Sequence, residues 1–557
     1  MRLILLLVVP IFIVSCSFQK EQVDLLVYNA HIYTVDSMFS KAEAMAVNRG
    51  KIVRCGKTED LLAHYDALTK LDLQGKTIVP GLIDAHCHFL GYGLGLARVN
   101  LLNTKSFNEV LERVVAYSKK ELEDEKQPQL KNTAVDTKWI IGRGWDQNDW
   151  QNKAMPNRKV LDSLFPHRPV MLTRIDGHAA LVNATALKLA GISGSTKVAG
   201  GEIVLENNQV SGVLIDNAVD LVKRVIPAID ANEKTEALLN AQSNCFAMGL
   251  TSVVDAGLMA DEVALIDQLQ KKQQLQMRMY VMLSDSAPNY AAFLEKGPYK
   301  TDFLNVRSFK FYVDGALGSR GACLYEDYSD KKNWKGFLLS TPQHFAEAAK
   351  TLANKGFQMN AHCIGDSAFG LITKLYANYC KGDGSMRWRI EHAQVCDAKD
   401  WQVLNKDIVP SVQPTHATSD MYWADVRLGK ERVKTAYAYK DLLQHSGVIA
   451  LGTDFPVEDI SPFKTFYAAV YRRDGKGFPA KGFQTENALS REETLRGMTL
   501  WAAYANFEEK EKGSLEPGKF ADFVVLDTDI MSCDEAKILS TAVEKTFVNG
   551  KEVYHKP

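Results

Sequence analysis

The chain reads as an α/β protein: a (β/α)8 TIM barrel, a small β-sandwich built from both termini, and an insertion after the first barrel strand. Three observations point there. First, apolar strand-like runs alternate with amphipathic helical stretches through the middle of the chain, as a parallel sheet requires. Second, eight such runs can be placed: Ile78–His88, Ser252–Asp255, Met277–Leu283, Ser308–Asp314, Phe357–Cys363, Arg389–Val395, Ile408–His416 and Val448–Asp454. Third, polar residues gather at their C-terminal ends, the face where barrel sites assemble. A doubly wound open sheet uses the same alternation, but eight runs with polar ends favour the barrel.

The helical stretches Phe345–Lys355, Ala368–Cys380 and Tyr437–Gln444 fall between these runs, and Arg491–Ala503 follows the last. Residues 23–80 read as short strands, among them Asp24–Tyr28, Ala44–Asn48 and Lys51–Cys55, with a hairpin turn at Asn48-Arg49-Gly50-Lys51. Residues 511–557 read alike, with Phe523–Leu526, Lys545–Val548 and a turn at Asn549-Gly550. The two β-rich ends are expected to complete one sandwich, because each needs the other for strand pairing. The barrel then spans 81–510. The connection after its first strand is too long for a βα loop, so an inserted subdomain is expected at about 95–230. Lys119–Lys131 is charge-rich and reads as a solvated surface stretch.

Composition excludes little but points away from nucleic acid. The 557 residues carry 46% hydrophobic and 24% charged side chains and a net charge of −1, with Lys and Arg scattered. Residues 1–22 are read as outside the fold. Met1-Arg2 precedes the apolar run Leu3–Val14, too short for a membrane span, and then Ser15-Cys16. This matches a lipoprotein signal with lipidation at Cys16 and a polar tether over Ser17–Gln22. A cleaved secretory signal with a chance cysteine is the alternative. The other eight cysteines form no CxxC pair and read mostly as buried, unpaired apolar residues.

The chemistry-bearing residues sit on the strand ends. Ile83-Asp84-Ala85-His86-Cys87-His88 closes the first run with His-x-His. Alternation puts His86 and His88 on one face, roughly 6–7 Å apart, so two imidazoles can meet one ion. His362 ends the fifth run, His392 lies in the sixth and Asp454 ends the eighth. Four His and one Asp on apolar strands need partners when buried, and a divalent cation supplies one. No Ser-His-Asp or Gly-x-Ser-x-Gly pattern competes.

Together with Trp139–Trp145, Asp176-Gly177-His178, Lys310–Ala322, His362–Asp366, Gln413–His416 and Gly452–Val457, these motifs resemble the amidohydrolase superfamily, specifically the amidohydrolase-3 group with its N-substituted formamide deformylase-like proteins. The resemblance covers nearly the whole chain after residue 23. It implies one or two divalent ions, zinc in the first instance. It assigns His86, His88 and Asp454 to the more buried ion, and His362 and His392 to the second. Lys310 would bridge the two once carboxylated by carbon dioxide, since a protonated lysine is a poor ligand; its alternative is an ion pair with Asp314. The family's strand-eight aspartate, here Asp454, acts as the catalytic base, and the ion lowers the pKa of coordinated water to about 7. Trp145, His178, Arg320, Gln413 and His416 are candidate substrate contacts, with Trp423 beside them and His178 or Arg320 as oxyanion donor. Each also reads as turn, loop or packing. Gly365-Asp366 reads as a turn and helix cap.

The resulting functional expectation is hydrolysis of a non-peptide carbon–nitrogen bond in a small molecule. Ester or lactone hydrolysis at the same site is an alternative, and so is a lipid-anchored binding protein without turnover. The protein is expected to be exported and anchored at the cell envelope, on the outer membrane because Ser17 replaces the retaining aspartate. It is expected to have a small-molecule substrate and no nucleic-acid partner, with a homodimer open.

Overall fold

A computed structural model describes residues 20–124 and 138–557. The signal read at residues 1–16, Cys16 itself, most of the tether and the latter half of the charged stretch lie outside the described residues. Within them, no helix is long and apolar enough to cross a membrane.

Eight parallel strands form a nearly closed barrel. They are β1 Leu82–Cys87, β2 Leu250–Leu258, β3 Arg278–Ser284, β4 Leu304–Tyr312, β5 Gln358–Cys363, β6 Trp388–His392, β7 Ile408–Val412 and β8 Ala450–Leu451, paired in chain order. Parallel strands covered on both faces are apolar almost throughout, and β1, β5, β6 and β7 are buried at every position. Each fully buried Val, Ile, Leu, Phe or Met stabilises by about 1.5–3 kcal/mol. Closure between β8 and β1 uses backbone beyond the short β8 ladder: Asp454 N–H donates to the His86 carbonyl at 2.7 Å, and His88 N–H to the Phe455 carbonyl at 2.8 Å. Gly452 permits this approach, since a Cβ there would lie 2.5 Å from the His86 nitrogen.

Four strand expectations differ most from the structure, the eighth because Val448–Asp454 forms a ladder only at Ala450–Leu451. The run Ile78–His88 is two strands. Thr77–Pro80 belongs to a terminal sheet, and the chain crosses at Gly81 into β1. The sixth run stops at His392, because His392 and Ala393 take φ of 71° and 41°. The seventh stops at Val412, where Pro414 opens the helix Pro414–Asp420. Arg491–Ala503 is likewise broken into Arg491–Gly497 and Leu500–Ala505.

The chain ends share one six-stranded sheet, in which Phe523–Leu526 runs antiparallel to Thr77–Pro80 with Val524 opposite Val79. It faces a four-stranded sheet that starts at Glu21–Tyr28, so Glu21 and Gln22 are strand residues rather than tether. Leu25, Val27, Met45, Phe523 and Phe547 share the core between the sheets. Both expected turns take the paired positive φ of a type I′ hairpin, at Arg49 (50°) and Gly50 (73°) and at Asn549 (51°) and Gly550 (68°). The insertion carries its own six-stranded sheet, ordered Gly201–Glu206, Gln209–Asp216, Ala179–Val182, Val170–Arg174, Ile140–Trp145 and Val99–Asn100. All eight cysteines of the described residues are free; five are buried and Cys55, Cys323 and Cys533 are partly exposed.

Candidate active site

The C-terminal mouth of the barrel and the insertion enclose a cavity of about 720 Å³. His88, Lys310, His362, His392, His416 and Asp454 line it, and His178 enters from the insertion side. His86 lies immediately beneath, fully buried.

The histidines are held in one tautomeric sense. His86 Nδ1 lies 2.5 Å from Glu391 Oε2, His88 Nδ1 lies 3.0 Å from the Ala256 carbonyl, and His392 Nδ1 lies 2.8 Å from Gln413 Oε1. Each acceptor takes an Nδ1–H and leaves Nε2 unprotonated, the arrangement that outer-shell acceptors impose on metal-binding imidazoles. His86 Nε2 and His88 Nε2 stand 3.7 and 3.3 Å from Asp454 Oδ1. The rings of His86 and His362 lie 4.8 and 4.5 Å from that of His392.

His86, His392 and Asp454 each offer a ligand atom, and these lie within 4.8 Å of one another. Burial lowers the pKa of His86 to about 4, with Lys310 adding to the effect. Burial likewise takes His362 and His392 well below the usual range, so all three are neutral imidazoles. Asp454 remains ionised: burial raises its pKa, but His416, His88 and the surrounding imidazoles outweigh this. Its φ of 63° is a strained conformation for a non-glycine residue, of the kind that costs about 1–3 kcal/mol and clusters at functional sites. Buried His362 Nε2 and Asp454 Oδ1 have no hydrogen-bond partner among the described residues. Two neutral imidazoles and one carboxylate at one point, with Asp454 Oδ1 orphaned there, fit a divalent cation, while His362 Nε2 lies outside this cluster, 3.8 Å from Asp314 Oδ1.

Lys310, on β4, is buried with Nζ 3.2 Å from His86 Nε2. Burial lowers its pKa to about 8, which makes free amine accessible near neutrality. It does not pair with Asp314, whose carboxylate instead accepts backbone N–H bonds from Cys323, Ile364 and Gly365.

The candidate substrate contacts divide. His178 faces the cavity with Nδ1 2.6 Å from Asp216 Oδ1. His416 faces it too, but its Nε2 lies 3.3 Å from Asp454 Oδ2 and its Nδ1 3.1 Å from Glu458. Burial opposes its charge, yet these two carboxylates prevail and lift its pKa to about 10. Trp423 lines the wall. Trp145 does not: it is buried in the insertion core against Trp150 and donates Nε1–H to the Leu172 carbonyl. Arg320 is turned away into a two-point pair with Asp330, at 3.1 and 2.8 Å. Gln413 sits behind His392 rather than toward a substrate. Gly365 is the N-cap residue of the helix Asp366–Tyr376, without a side-chain cap bond, and Asp366 accepts from Tyr325 N–H. Asp176 both closes its turn, accepting from His178 N–H, and pairs with Arg174.

Several residues escaped the sequence reading. Asp84 ties β1 to the end of β8 through His86 N–H, Thr453 N–H and Thr453 Oγ1. Its position two residues before His86, on the same strand face, was a usable signal. Glu391, next to His392, holds His86 and pairs with Arg389 at 2.7 Å. No local pattern marks Asp216 or Arg143, which reach the cavity from the insertion.

Residues 70–554 match the amidohydrolase family, Amidohydro_3. The chain is 34% identical over 551 residues to Protein LONG AFTER FAR-RED 3 of Arabidopsis thaliana, spanning 95% of this chain and 91% of that one. It is 25% identical over 556 residues to N-substituted formamide deformylase of Arthrobacter pascens, spanning 96% and 98%. An uncharacterized metal-dependent hydrolase from Pyrococcus horikoshii OT3 shares the fold with a TM-score of 0.72 and 25% identity, over 92% of this chain and 99% of that chain. The convergent His and Asp side chains and these similarities make the chain a metal-dependent hydrolase of the amidohydrolase family.

Proposed function

We propose that the protein hydrolyses a non-peptide amide bond in a small molecule, with one or two divalent cations, zinc foremost, held at the barrel mouth. The observation that carries this reading is the convergence of His86, His392 and Asp454 beneath the cavity, with buried polar atoms left unpartnered. Similarity to an N-substituted formamide deformylase supports the choice of a carbon–nitrogen bond.

His86, His88 and Asp454 would hold one ion and His362 and His392 a second. Lys310 would join them after its neutral amine adds to carbon dioxide and releases a proton, giving an anionic carbamate. When bound, the cation supplies Lewis acidity, easing deprotonation of water and polarising a carbonyl. The chain's own residues do the rest. Asp454 is an ionised acceptor placed to take a proton from water and return it to the leaving nitrogen. His416, charged and hydrogen-bonded to Asp454 Oδ2, keeps that carboxylate oriented and anionic. Glu391, Ala256 and Gln413 fix the imidazoles. The cavity, about 720 Å³, has room for a small molecule.

The test is amine release from a panel of N-formyl and N-acyl amines, with matched esters alongside. Turnover by the metal-loaded protein, reduced about 10³-fold or more in Asp454→Asn, is expected. Ester turnover without amide turnover would replace the bond assignment, and Asp454→Asn at wild-type rate would remove its role. Export and lipidation at Cys16 belong to the same proposal; labelled fatty acid incorporated by the wild type and lost in Cys16→Ala is the expected result.

A further inference from the structure

Two arginines of the insertion line the cavity, and only one is satisfied. Arg174 is fully buried and gives its guanidinium to Asp146, Asp176 and Gln147. Arg143, one strand away, has a single hydrogen bond among the described residues, Nη2 to the Ile175 carbonyl at 3.0 Å. Its Nε is buried without a partner, and it makes no ion pair among the described residues. A guanidinium offers five donors in a planar fork, so most of the donors on this cavity-lining side chain are unused.

The backbone aims it there. Arg143 and Trp145 are two apart on the strand Ile140–Trp145 and would normally share a face. A register shift between them, opposite Thr173 and Arg174, separates their directions. Gly144 takes φ of 115°, and a Cβ there would meet the Leu102 nitrogen at 2.7 Å. Trp145 therefore enters the core while Arg143 turns to the cavity. Gly177 lies against the guanidinium, with its missing Cβ 3.5 Å from Nη2.

The neighbouring carboxylates are otherwise engaged. Asp176 is held by Arg174, and Asp454 lies among the histidines. Asp176 and Asp454 act on Arg143 through space without hydrogen-bonding it, and its planar fork matches a carboxylate in two-point contact. We infer that Arg143 forms a carboxylate-binding subsite on the insertion side of the cavity. The carboxylate is either one carried by the substrate's amine portion or the acid formed on hydrolysis. This rests on the amide reading above and narrows its substrate class.

Calorimetric binding tests it without requiring turnover. The probes are N-formylphenylalanine and N-formyl-2-phenylethylamine, which differ only by a carboxylate, and benzoate as a bare acid. They are titrated into zinc-loaded wild type, Arg143→Met and Arg143→Lys. If the substrate carries the group, N-formylphenylalanine binds the wild type about tenfold or more tighter than its neutral partner. That advantage vanishes in Arg143→Met and is partly restored in Arg143→Lys, while the neutral probe is unaffected. If the acid product is the ligand, benzoate alone loses affinity in Arg143→Met. Carboxylate affinities equal in wild type and both variants overturn the subsite. Absence of amide turnover, by contrast, would overturn only the reaction assignment, because these affinities are read independently.

Discussion

At the floor of the barrel, Arg278 donates to Asp522 at 2.6 and 3.0 Å, to Asn549 at 2.6 Å and to the Asp302 carbonyl at 2.7 Å. At the mouth, His362 Nε2 and Asp454 Oδ1 are just as buried and have no hydrogen-bond partner among the described residues. Both regions take polar groups out of water, yet only the floor returns what they lost. Saturated charge there joins β3 to the terminal sandwich. Unsaturated donors and acceptors at the mouth are strained, crowded and turned toward a cavity. Burial with partners is architecture, and burial without them marks the place of a ligand.

The largest expected effect breaks the saturated side. Arg278→Met leaves the Asp522 carboxylate buried and unpaired, and should destabilise by about 3–5 kcal/mol. Urea unfolding measures it, and metal stoichiometry at saturation should stay at the wild-type value. A shift in stoichiometry with unchanged stability would erase the contrast between floor and mouth.

Next is Glu391→Gln, which removes the carboxylate that holds His86. Metal affinity should fall about 10–100-fold, read by competition with a chelating dye. Unchanged affinity would reduce Glu391 to a partner of Arg389.

The smallest effect lies outside both regions. Asp330 joins Arg320 and Arg427 at 2.8 and 2.5 Å. Burial raises its pKa, but the two guanidinium groups more than offset this and hold it below the usual range. A depressed carboxylate contributes stability above its unfolded pKa and loses it as pH falls through the folded value. Asp330→Asn should therefore cost about 0.5–1 kcal/mol at pH 7, since solvent screens this partly exposed group. The difference from wild type should close as pH drops below about 4, and a gap that persists there would mean that charge is not what Asp330 supplies.

Much of the barrel was legible because parallel strands buried on both faces write themselves as apolar runs, as at Phe357–Cys363 and Ile408–Val412. Boundaries failed where one residue redirected the chain. Gly81 passes an apolar run from one sheet to another, and positive φ at His392 ends β6 within an apolar sequence. At the mouth, the polar residues terminating those runs stood out as His86, His88, His362 and Asp454. Arg143 and Asp216 were not legible, since a strand bulge and a distant sheet decide where they point. Trp145 and Arg320 misled for the same reason: residue type suggested a wall and a donor, and tertiary packing used them elsewhere.

The most direct measurement is divalent metal content of the purified, metal-supplemented protein beside His392→Ala, with folding checked by circular dichroism. One to two equivalents in the wild type, falling in His392→Ala at unchanged fold, is the predicted result. A folded wild type that retains no divalent metal would contradict the account.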